Sequence, residues 1–300
     1  MSARRMRTLR RKLARAAGIG LSGLASRGGP ARIRRIGKAI GALHYWATWP
    51  VNRRLRRDVA RALGVSRRHA AGILREAFRQ NDRAVFEILS LAHPACDPEA
   101  MIDDVSIDGM DALPRSAGDG RGAILLGMHM GNGILMAARL ARVGFPVHVV
   151  FRDPRRLPPG LLARSLERSG CIPVALDREN PTRSFRQMLR ILNSGGMLYV
   201  LMDQANKGEG AQRVFLGKTL RMPSGIPRLA VRSGAPVIPI HAESADRGWQ
   251  FHVHPTLRAE TGEAMLDAMI ESMQDQIRQR PALWAWHHRR WKRYHFQSES

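Results

Sequence analysis

The stretch GMHMGNGILMAARL, residues 127–140, follows directly on the apolar run GAILL. It places His129 at the end of a buried strand, then Gly131, Asn132 and Gly133, then a helical pattern. A histidine at such a strand-to-helix turn can act as a general base, taking a proton from a nucleophile too weakly acidic to ionise unaided. Such a base is normally oriented by a carboxylate, which also stabilises the imidazolium that forms. Three further polar groups stand at the ends of apolar runs: Arg152 after 146–151, and Asp203 and Gln204 after 197–202. Ligands of α/β sheets gather outside the carboxyl ends of the strands, so these four residues are the first candidates for a site. A plainer reading gives Arg152 and Asp203 to each other as a structural ion pair, and spacing leaves both readings open.

The elements that must position these groups alternate between the two periods. VSIDG, GAILLGM, PVHVVF, CIPVAL, MLYVLMD, VIPIHAE and WQFHVHP read as strands. Helical patterns cover 133–142, 159–169, 184–196, the segment GIPRLAVRSGAP, and 263–280. Alternation of this length predicts an α/β fold with a mixed, largely parallel central sheet and helices on both faces. Upstream, SRRHAAGILREAFRQNDRAVFEILSLA (66–92) reads as one long amphipathic helix with Ser66 as N-cap and its apolar stripe in the core.

The charge balance points outward. The chain has 49 Lys plus Arg against 25 Asp plus Glu, a formal net charge of +24. Residues 1–57 carry 16 of the basic residues, and no acid precedes Asp58. Such an excess faces nucleic acid, an anionic membrane or an acidic partner. No helix-turn-helix, RNP aromatic pair or zinc finger is visible, so nucleic acid is not the expected partner. Two cysteines, Cys96 and Cys171, are too few for a disulfide framework and suit a reducing compartment. No group of ligand-type residues has metal spacing, and neither a metal nor a cofactor is expected. Gly208 and Gly210 read as a flexible loop rather than a phosphate cradle, because no helix start follows.

Within the basic arm, ARIRRIGKAIGALHYWATWP spaces Ile33, Ile36, Ile40, Leu43, Trp46 and Trp49 by threes and fours, with Arg32, Arg34, Arg35 and Lys38 among them. That pattern suits a helix lying in an anionic interface. An ordinary helix packed on the domain behind it fits the same spacing. No apolar run is long enough to span a bilayer, and AAGIGLSGLAS is too weakly apolar for a signal peptide. The expected organisation is a membrane-associating arm, 1–57, followed by a catalytic domain, 58–300.

Four stretches, GMHMGNG, VVFRDPRR, LMDQANKGEGAQRVFLGKTLRMPSGIPRLAVRSGAPVIPIHAE and RPALWAWHHRRWKR, occur in an order and spacing that resembles the bacterial lauroyl/myristoyl acyltransferases of lipid A biosynthesis. Relatives of that family acylate mannosides of mycobacterial glycolipids. The resemblance runs from about residue 50 to 295 and is most specific from Asp203 to Pro239 and in LWAWHHRRWK.

That resemblance implies a glycerolipid acyltransferase-like fold. It implies transfer of a fatty acyl chain from a thioester, carried by acyl carrier protein or coenzyme A, to a hydroxyl of a glycolipid or lipid A precursor. The expected location is peripheral, at the cytoplasmic face of the inner membrane, with an acidic carrier protein, the acceptor lipid and the anionic surface as partners. It implies His129, Arg152 and Asp203 as catalytic residues, and Asn132, Gln204, Arg289 and Arg290 as substrate-binding residues. Trp284, Trp286 and Trp291 are assigned to packing and interface, and His287 and His288 to structure or solvent. The chain departs from the family at one place. The motif is histidine, four residues, then Asp or Glu; here the acid position is Ile134. Three accounts stay open: Asp203 orients His129 instead, His129 works alone on a more reactive acceptor such as an amine, or catalysis has been lost and lipid binding kept.

Overall fold

A computed structural model describes residues 18–114, 122–152, 158–177, 179–205 and 210–287. The chain enters through helices: α1 (18–26), α2 (Gly29–Ala47), α3 (Trp49–Leu63), α4 (Arg67–Leu91) and the short α5 (Pro98–Asp103). The sheet and its helices follow in the order β1 (Val105–Asp108), β2 (Ala123–Gly127), α6 (Gly133–Arg142), β3 (Val147–Phe151), α7 (Leu161–Arg168), β4 (Ile172–Ala175), α8 (Pro181–Asn193) and β5 (Met197–Leu201). A hairpin, β6 (Ala211–Phe215) and β7 (Lys218–Met222), precedes α9 (Gly225–Ser233), β8 (Val237–Ser244), β9 (Trp249–Val253) and α10 (Gly262–Gln279).

Seven strands form one sheet in the order β1-β9-β8-β2-β5-β3-β4. All neighbours are parallel except β8 and β9. The expected α/β fold is the one observed. β2 and β5 lie at its centre and are buried almost throughout, which is why they read as continuous apolar runs rather than alternating ones.

Ser66 caps α4 as expected, its side chain accepting from the His69 N–H. The β6–β7 hairpin was not anticipated. Its two-residue turn, Leu216–Gly217, has φ of 49° and 76°. A tight hairpin turn needs positive φ at both central residues, which Asn-Gly advertises and Leu-Gly does not.

The junction at 57/58 falls inside the continuous helix α3. Helix α2 is not a detached arm. Ile33, Gly37, Gly41 and Tyr45 are buried on one stripe of it. A Cβ added at Gly37 would stand 2.7 Å from Arg83 Cα on α4, so the glycine allows the two backbones to approach closely. Of the apolar residues noted there, Ile33 faces the core, whereas Leu43, Trp46 and Trp49 are exposed. The one pattern therefore serves two surfaces.

Candidate active site

β2 and β5 pair in parallel register with Gly127 opposite Leu201. Two residues beyond that pair, on each strand, stand His129 and Asp203. The register alone brings histidine and carboxylate to one level at the carboxyl edge of the sheet. His129 Nδ1 lies 2.7 Å from Asp203 Oδ1, and the His129 backbone N–H donates to Asp203 Oδ2 at 3.1 Å. The Trp284 indole N–H also donates to Oδ2, at 2.7 Å. Asp203 is fully buried, whereas the His129 side chain is 25% exposed. An ionised carboxylate can only accept, so Nδ1 of a neutral ring carries the proton and Nε2 presents its lone pair. Gln204, exposed beside it, places its side-chain nitrogen 2.9 Å from that Nε2.

The segment after α10 holds this pair from the far side. Met130 and Trp284 form an isolated antiparallel bridge, and the Ala285 N–H donates to the His129 carbonyl at 3.0 Å. Beneath the turn lies Tyr199, buried between Gly127 and Gly133; a Cβ on either glycine would collide with its ring or hydroxyl. Burial, reinforced by the Asp203 charge, pushes the Tyr199 phenol up, so it stays protonated.

The residues named from sequence divide into three groups. His129, Asp203 and Gln204 meet. Arg152 stands exposed one residue past β3 and is not paired with Asp203, so the ion-pair reading of these two residues is set aside. Asn132 needs correction: it is fully buried, its Oδ1 faces the Leu135 N–H as N-cap of α6, and its Nδ2 donates to Glu87 Oε2 at 3.1 Å. Both ends of the amide are used inside the protein. Arg289 and Arg290 lie outside the described residues, as do His288, Trp291 and Gly208.

Two contributors escaped the sequence reading. Trp284 was assigned to packing, yet its N–H fixes the orienting carboxylate; its place in the LWAWHH tail was the available signal. Glu87, on α4, was not singled out. It is buried, bonded to Arg83 Nε at 2.9 Å, and its Oε2 accepts from both Asn132 and the Trp249 indole, the latter at 2.7 Å. The signal was an acid set four residues after Arg83 between Phe86 and Ile88. The network ties α4 to the turn that carries His129. Trp249 also sits under Gly131, whose φ of 65° and lack of a Cβ let the turn pass over the indole.

Residues 3–293 match the family model described as bacterial lipid A biosynthesis acyltransferase. The chain belongs to that family. The phosphatidylinositol mannoside acyltransferase of Mycobacterium tuberculosis (strain CDC 1551 / Oshkosh) is 26% identical over 253 residues, covering 80% of this chain and 77% of that protein. The protein of the same name from Mycolicibacterium smegmatis is 26% identical over 238 residues, covering 77% of this chain and 76% of its own length. This chain is thus an acyltransferase, and lipid biosynthesis is its setting. In this acyltransferase Ile134, at the family's usual acid position, is 7% exposed and belongs to the hydrophobic core in the first turn of α6. The carboxylate beside the histidine comes instead from the segment just past β5.

Proposed function

We propose that this acyltransferase moves a fatty acyl chain from a thioester donor to a hydroxyl of a membrane glycolipid, with His129 as general base and Asp203 as its orienting partner. The observation that carries this reading is the 2.7 Å contact between His129 Nδ1 and buried Asp203, which leaves Nε2 toward the open edge. The acceptor hydroxyl gives its proton to Nε2 as its oxygen attacks the thioester carbonyl. The imidazolium, held by Asp203, then returns the proton to the departing thiolate. Arg152, exposed at the same edge, is the cation available for phosphate or carbonyl oxygens of the substrates. The mycobacterial relatives, named phosphatidylinositol mannoside acyltransferases, support a mannosylated phospholipid as the acceptor class.

The reading also includes a peripheral position on an anionic membrane. Leu43, Trp46 and Trp49 are 70%, 59% and 41% exposed. Trp46 and Trp49 stack at 5.8 Å, Arg56 lies 4.1 Å over the Trp49 ring, and Arg53, Arg54 and Arg57 are exposed close by in sequence. Apolar rings among cations suit the headgroup layer. One contact links α2 to the segment that holds the site: His44 packs 5.8 Å from His287, three residues past Trp284.

The test is a pair of single variants and their double, assayed for acyl transfer. His129→Ala is expected to lower kcat by roughly 10² to 10⁴, as for a general base. Asp203→Asn should cost a comparable factor, and the double variant little more than the worse single one. Full activity in His129→Ala would mean that acyl transfer does not use His129 as its base.

A further inference from the structure

We propose that Gln204 guards the catalytic base, occupying its lone pair until the lipid hydroxyl displaces it, and so suppresses hydrolysis of the donor thioester. The inference rests on the reading of His129 as base and adds a reason why water does not use it.

With the Nδ1 proton committed to Asp203, Nε2 is an acceptor, and the only end of the Gln204 amide that can bond to it is the NH₂. Gln204 Nε2 is 2.9 Å away. That amide hydrogen stands where the acceptor's hydroxyl hydrogen must come, because one ring lone pair takes one proton. Hydroxyl and amide therefore exclude each other. Gln204 is exposed and adjoins buried Asp203, so its side chain borders both the site and solvent, the direction in which displacement would carry it.

His129 is partly exposed, so solvent reaches the same edge. If water used the base, its oxygen would bond to the thioester carbonyl carbon and its proton would pass to Nε2. The C–S bond would then break, the thiolate would take the proton, and a free fatty acid and a thiol would leave. A bound lipid spends its contacts with the site on displacing Gln204; a water molecule has none to spend. A guard of this kind discriminates between acceptors without touching the donor.

Gln204→Ala tests the proposal, since an exposed side chain can be removed with the fold kept. One readout needs no substrate: carbethoxylation of His129 by diethyl pyrocarbonate in the free enzyme, followed by peptide mass spectrometry. The second is thiol release from palmitoyl-CoA without acceptor, compared with transfer to a phosphatidylinositol mannoside. The variant should carbethoxylate His129 roughly three- to tenfold faster, the range that one hydrogen bond is worth. Its ratio of hydrolysis to transfer should rise by a similar factor, and His129→Ala should slow both reactions by roughly the 10² to 10⁴ expected of a lost base. Unchanged carbethoxylation and an unchanged ratio in Gln204→Ala would overturn the guard while leaving the base in place. Hydrolysis and transfer both continuing at the parent rate in His129→Ala would instead remove the base, and the guard with it.

Discussion

His129 and Asp203 are held by geometry that tolerates little change, and Ile134 shows the converse. A carboxylate at 134 would enter a packed apolar environment already closed by its neighbours, with Cys171 Sγ against the Ile134 carbonyl at 3.9 Å. Ile134→Glu is therefore expected to destabilise the fold by more than about 3 kcal/mol, the scale of an uncompensated buried charge, rather than to restore the family's usual pairing. Urea denaturation of the variant checks this. A stable variant with raised activity would mean that the position opens onto the site. Burial pushes the Cys171 thiol up to about 12 and the Cys96 thiol up to about 11, which keeps both protonated.

At the scale of elements, the site is a seam where β2, β5, α4 and the segment after α10 meet. The indole of Trp284 is fully buried and cannot reach a substrate, but it holds one oxygen of Asp203. Trp284→Phe keeps most of the packing and removes that hydrogen bond. It should lower kcat about tenfold with KM unchanged, because a bond to a charged group is lost while the binding surface is intact. Steady-state kinetics over both substrates separate these outcomes; a rise in KM alone would assign the residue to binding. The packing of α2 on α4 has a practical consequence as well. Truncation through residue 50 would strip Ile33 and Tyr45 from the core, so it would test stability before it tested membrane contact.

For the whole molecule, membrane contact is better tested on the exposed residues of α2 and α3. Leu43→Ser, Trp46→Ser and Trp49→Ser combined should leave the melting temperature nearly unchanged and reduce sedimentation with anionic liposomes severalfold, since these side chains are exposed in the free protein and would be buried in the lipid interface. Undiminished sedimentation would move the contact elsewhere. No helix among the described residues is long and apolar enough to cross a membrane.

Acid should weaken the fold around His241 on β8. Burial, then the charges of His254, Arg280 and His252, lowers His241 from 6.5 to about 3. The folded state thus resists a proton that the unfolded chain accepts. Stability is unaffected by this group above about pH 6.5 and declines as pH falls from there toward 3, by at most about 1.4 kcal/mol per pH unit. Urea midpoints at pH 7 and pH 5 should converge in His241→Phe relative to the parent; equal losses in both would exonerate the histidine.

How much of this was legible in the sequence differs from residue to residue. The strands and most helices were, because β2 and β5 are buried on both faces and read as unbroken apolar runs, and because α4 carries its own cap. His129, Asp203 and Gln204 were legible as strand-end polar groups. What sequence could not decide was contact. His129 and Asp203 are 74 residues apart, and only the parallel register of β2 on β5 makes them neighbours. Asn132 has the polarity of a ligand-binding residue, and only tertiary packing shows its amide already taken by Glu87 and a helix cap. Trp284 reads as bulk until its N–H meets a carboxylate, and the stripe on α2 reads as a single face until α4 covers half of it. The local pattern of one chain segment determines its conformation and which side chains seek burial; which partner satisfies a buried charge depends on segments far along the chain, and that is fixed only when the sheet closes.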